Sequence, residues 1–124
     1  MSTVAAPRAA VSDDGILKRS GPTVFGTAGA NLSVKTGRLY KAVVHNKGAV
    51  AYFVQIFSKA SAPVANDVPI WEERLPASGS VALQFDFGLY AALGLGIAIS
   101  TTPALLTLAA ANDAVAYAQY TTLT

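Results

Sequence analysis

The sequence predicts an all-β chain, an antiparallel β-sandwich or jelly roll, and three observations predict it. Apolar residues recur with a period of two over several short runs, most plainly Val81, Leu83, Phe85 and Phe87 against Ala82, Gln84 and Asp86. Turn signals separate these runs: Asn46-Lys47-Gly48, Pro76-Ala77-Ser78-Gly79 and Pro103. The third is a stretch from Phe87 to Asn112 that holds no charged residue yet is broken by Gly88, Gly94, Gly96 and Pro103. A membrane-spanning helix needs about 20 mainly apolar residues with internally bonded backbone. Here Leu95, Ile97 and Ile99 alternate with Gly96, Ala98 and Ser100, which is the pattern of a buried strand. No membrane association is expected. A small open barrel is the rival architecture.

Taken in order, residues 1–37 read as an extended N-terminal arm. Seven glycines and prolines, among them Pro7, Gly15, Pro22 and Gly29, are scattered through Ala, Ser and Thr, and no period persists. Ile16, Leu17, Val24 and Phe25 are its apolar anchors, and Leu32 and Val34 are candidates to start a strand. Residues 38–124 form the predicted sandwich domain. Residues 38–46 read as a strand ending at the Asn46 turn. Residues 50–57 place Tyr52, Val54 and Ile56 on one face and Phe53, Gln55 and Phe57 on the other, so this strand should be central and covered on both sides. Residues 58–66 form a loop with Pro63, and residues 68–75 a third strand. In residues 81–87 the four large apolar side chains are expected to point inward, which pins the register. Residues 95–101, 105–109 and 114–122 complete six or seven short strands.

The 124 residues suffice for one domain. Hydrophobic residues make up 52% and charged residues 13%, the latter about half of the usual share of roughly 25%. So little charge points to a surface partly hidden in an assembly; the alternative is an exterior of Ala, Ser and Thr. The net charge of +2 is too small to read as nucleic-acid binding. Its distribution is uneven: residues 1–47 carry seven basic against two acidic side chains, and residues 48–124 carry two against five. A basic front and acidic rear suit contact between copies, or docking on an acidic protein surface, as an alternative to unrelated solvated charges.

Catalytic material is sparse, and no enzyme activity, cofactor or metal is expected. With no cysteine there is no disulfide framework and no thiolate nucleophile. The lone histidine, His45, lacks a nearby nucleophile or co-ligand in sequence. Glu72 and Glu73 are neighbours on a strand, so they point to opposite faces and do not flank one bond; one of the two is expected to be a solvated edge charge, paired with Arg74 or a partner's lysine. Gly94-Leu95-Gly96 lacks the third glycine and helix of a nucleotide loop. The first residues lack the apolar core of a secretory signal. The expected interface residues are Arg8, Lys18, Arg19, Val24 and Phe25 of the arm, with Trp71 at a rim where an interface closes.

The run Gly37-Arg38-Leu39-Tyr40, then Ala51-Tyr52-Phe53-Val54-Gln55-Ile56-Phe57, Ala60-Ser61-Ala62-Pro63 and Asp67-Val68-Pro69-Ile70, resembles small β-rich virion proteins encoded among the structural genes of tailed bacteriophages. Leu75-Pro76-Ala77-Ser78-Gly79, Phe85 and Gly96-Ile97-Ala98-Ile99-Ser100-Thr101-Thr102 extend the resemblance over about residues 37–124. It implies a virion component, a head decoration or cement protein on a major capsid protein, working as a homo-oligomer with a trimer favoured. It transfers no catalytic residue. A tail, neck or fibre-associated module that attaches to a host-surface carbohydrate is the second expectation.

Overall fold

The computed structural model describes residues 16–123. Among them are eight strands and no helix: β1 (Lys18–Phe25), β2 (Ala30–Ser33), β3 (Gly37–Asn46), β4 (Tyr52–Ser58), β5 (Trp71–Leu75), β6 (Ser80–Ala91), β7 (Leu95–Ser100) and β8 (Ala114–Thr122). They form two four-stranded sheets in the orders β1-β8-β3-β6 and β2-β7-β4-β5. The all-β sandwich predicted from sequence is what the chain adopts.

The pairing has a simple origin. β4 pairs with β5, β3 with β6, β2 with β7 and β1 with β8, all antiparallel. This is one long hairpin folded at the β4–β5 connection. The doubled ribbon is then rolled so that β3 also meets β8 and β4 also meets β7. The result is a jelly roll, two Greek keys sharing one core.

Residues 18–37 therefore belong to the sandwich and are not an arm beyond it. β1 and β2 are the edge strands at one side of the two sheets. The arm reading failed there because Gly21, Pro22 and a register shift between Ser20 and Thr23 erase the period of two in β1. Residues 1–15 lie outside the described region.

One apolar cluster fills the space between the sheets. Ala42 and Val44 of β3 and Ala114, Ala116 and Ala118 of β8 come from one side; Val54 and Ile56 of β4 and Ile97 and Ile99 of β7 come from the other. Small side chains on one sheet and branched ones on the other let the layers interdigitate. At one end of the sandwich Asn46 donates to the carbonyls of Val50 (2.7 Å) and Pro76 (3.1 Å) and accepts from the Gly48 amide (2.9 Å). The buried Tyr52 hydroxyl donates to Asp113 Oδ2 at 2.7 Å. At the other end the Asn31 amide donates to the carbonyls of Ser33, Lys59 and Leu95 at 3.1–3.2 Å.

Candidate functional site

The two outer faces of the sandwich differ, and the difference defines the candidate site. The outward residues of β2-β7-β4-β5 are roofed by the chain itself. Phe57, Ala98 and Leu106 form a second buried cluster with Leu108 against it. Pro63 is fully buried over Gly96, where an added Cβ would lie 2.8 Å from the Pro63 ring. Polar contacts fasten the roof: Asn66 N donates to Leu106 O (2.8 Å), Leu106 N to Asp67 O (3.0 Å), and Lys59 pairs with Asp67 (2.6 Å). Burial acts to raise the Asp67 pKa, but the Lys59 hydrogen bond, the Val64 amide and the Lys59 charge outweigh it, and the carboxyl sits below its ordinary value.

Glu72 is part of this roof and not a solvated edge charge. Its Oε1 accepts from Gln55 Nε2 at 2.7 Å and from Ala104 N at 3.0 Å. Ser100, fully buried, donates to Thr102 O at 2.6 Å and accepts from Thr107 N at 2.9 Å. The charge-free stretch thus supplies β7, buried on both faces, and part of the roof above it.

Among the described residues none covers the outer face of β1-β8-β3-β6 in this way. Register aligns Arg19, Gln119, Lys41 and Gln84 across all four strands, with Val43, Tyr117 and Ala82 in the next outward row. Tyr117 is 47% exposed and Val24 57%. Two hollows of about 350 and 240 Å³ share Lys41 and Gln119 and so form one shallow groove. Arg19, Val43 and Tyr117 line one half; Tyr40, Gln84 and Asp86 line the other. His45 packs edge-on to Tyr117 (centroids 6.2 Å) at the end of this face. Among the described residues no three of His, Cys, Asp and Glu cluster as metal ligands, and no helix is long and apolar enough to cross a membrane.

The sequence-predicted interface residues separate. Arg19 and Val24 lie on the open face, and Lys18 is half-buried in the edge strand β1. Arg8 lies outside the described residues. Phe25 is a correction: it pairs with Ala114 on the inner side, is 2% exposed and belongs to the core. Trp71, 41% exposed, is on β5 at the opposite side of the sandwich, where its ring meets Phe85 edge-to-face at 5.1 Å.

Phe87 is the residue that sequence reasoning placed wrongly. It is 92% exposed. Between the pairs Leu39↔Leu89 and Lys41↔Gln84, β3 contributes only Tyr40 while β6 contributes residues 85–88. The surplus bulges outward and lifts Phe87 off the sheet. Gly88 makes the bulge feasible: its φ is +78°, and an added Cβ would sit 2.8 Å from Arg38 Cβ. A glycine directly after an aromatic in a strand was the available signal.

Compared with known proteins, the chain matches no family model, and no curated protein and no solved structure matches it.

Proposed function

We propose that this protein is a non-enzymatic structural component of a tailed-phage virion, a head decoration or cement protein that docks on the major capsid protein and bridges its subunits. The observation that carries this reading is the asymmetry of the sandwich: one outer face is largely roofed by the chain's own loops, while over the other no described residue lies, and it is mixed apolar and basic. A rigid jelly roll with one sheet face left bare by the described residues is built to sit on a larger surface. Arg19 and Lys41 on that face suit an acidic protein partner and would steer its approach. Homo-oligomers, a trimer at a three-fold axis being the favoured form, would place several open faces on one shell. The site of action is the virion, assembled in the host cytoplasm.

The deciding experiment compares complete particles with particles lacking the protein. Loss of resistance to heat and osmotic shock in the deficient particles is the expected result; equal resistance refutes the cementing role.

The groove favours a second reading, a tail, neck or fibre-associated module that holds a host-surface carbohydrate. Tyr40, Tyr117, Gln84 and Gln119 offer rings to stack on a sugar and amides to bond its hydroxyls. Labelling the protein in whole particles separates the two. Many copies spread over the head support decoration, and a few at one vertex support attachment.

A further inference from the structure

The two open sides of the sandwich are unlike each other and complementary. On one side lie β5 and β6, on the other β1 and β2. The β5/β6 side presents exposed Phe87 at the tip of its bulge, exposed Trp71, and the acidic residues Glu73 and Asp86. Arg74, also on β5, shares the outward row with Phe53 and points away from this side. The β1/β2 side presents an open hollow of about 410 Å³. Leu32, Val34 and Tyr120 line it together with Asn31, Ser33, Lys18 and Lys35. One side is thus an aromatic knob with two acids beside it and Arg38 packed against Gly88, and the other a recess of apolar and polar side chains whose only charges are basic.

We propose that the occupant of the β1/β2 hollow is a second copy of this chain, docked head-to-tail, with its Phe87 inserted in the hollow and its Asp86 and Glu73 facing Lys35 and Lys18. Three arguments converge on a copy. The charges are opposite in sign on two sides of one molecule, so identical chains attract in this orientation and repel when like sides meet. A phenylalanine held out at 92% exposure on a glycine-fixed bulge is placed to act as an interface anchor, and the hollow offers it Leu32, Val34 and Tyr120. Finally, the two outer edges of the sheet β1-β8-β3-β6 are blunted against direct strand addition. Pro22 offers no amide in β1, and the bulge interrupts β6. At this sheet the contact is therefore made by side chains and is not a continuation of its strands. Such an interface is heterologous: it closes into a ring if the rotation between copies closes, and otherwise extends as an open chain. The proposal does not depend on what the open face of β1-β8-β3-β6 docks against.

Sedimentation velocity tests it on the full chain. The wild type is expected to self-associate at high micromolar concentration, more weakly as salt rises. Phe87→Ala should weaken association by about thirtyfold or more, as for a central aromatic anchor. Because the ring is exposed, circular dichroism should show that variant to be folded. Lys35→Glu should also weaken it. The discriminating step is mixing: Phe87→Ala keeps an intact hollow and Lys35→Glu an intact knob, so the two together should form a one-to-one heterodimer that grows no further. A wild type that stays monomeric, a Phe87→Ala chain that associates as the wild type does, or a mixture without heterodimer would each overturn the proposal.

Discussion

Tyr52 shows how one side chain fastens the end of a sandwich. The ring is in the core, and the hydroxyl reaches Asp113, the residue that leads into β8. The hydrogen bond to Asp113, then burial, then the carboxylate's charge raise the phenol pKa above its ordinary value. The folded protein therefore holds this proton more tightly than the unfolded chain, whose tyrosine titrates at about 10. The stabilisation is fully present below pH about 10 and is lost as pH rises through the elevated folded value. Tyr52→Phe removes a bond to a charged acceptor and should cost about 1.5–3 kcal/mol at neutral pH. The gap between variant and wild type should narrow above pH about 10, as urea midpoints measured across that range would show. None of this was visible in sequence, because Tyr52 and Asp113 are far apart along the chain. Which of Glu72 and Glu73 would be the solvated edge charge was hidden for the same reason: the Glu72 partners Gln55 and Ala104 come from β4 and from the loop after β7, and Glu73 is the exposed one. Alternation told which face a residue takes, but not what lies over that face.

At the level of elements, the sequence was legible where a strand obeys a period of two without interruption. β3, β4, β7 and β8 were found near their observed bounds, and the two-sided burial of β4 followed from its apolar residues on both faces. It was illegible where the backbone breaks period. β1 was hidden by Gly21 and Pro22, and the bulge of β6 inverted the expected direction of Phe87. Residues 105–109, expected as a strand, form only an isolated bridge from Leu108 to Ser100 and serve as roof. The bulge gives a direct test of that account. Gly88→Ala places a Cβ at a left-handed φ and against Arg38, so stability should fall by about 1–3 kcal/mol in thermal or urea unfolding. Relief of the strain would pull the bulge back toward the sheet and withdraw Phe87, so self-association should weaken as well. A variant as stable as the wild type would show that the bulge does not depend on this glycine.

For the whole molecule, the shortage of charge has two causes that composition alone merges. Part of it is internal: a jelly roll whose second sheet is covered by its own loops has two apolar layers to fill, and Phe57, Ala98 and Leu106 fill the second. Only the remainder concerns partners, and it is found on the open face, on the two open sides and on the roof, where Val64, Val68, Ile70 and Leu105 are exposed. This division sharpens what a docking experiment should find. Arg19 and Lys41 are exposed on the uncovered face and support no part of the core. The double substitution Arg19→Glu with Lys41→Glu should therefore change stability by no more than about 0.5 kcal/mol. Its binding to shells assembled from capsid protein alone should drop at least about tenfold, mainly through slower association, and the wild type should show the same loss as salt is raised. Reversing Arg74, which is exposed on the other sheet, should leave binding intact, because the roof and not the partner covers that side. If the Arg74 reversal weakens docking and the double reversal does not, the partner sits on the roofed side, and the asymmetry of the two faces has been read in the wrong direction.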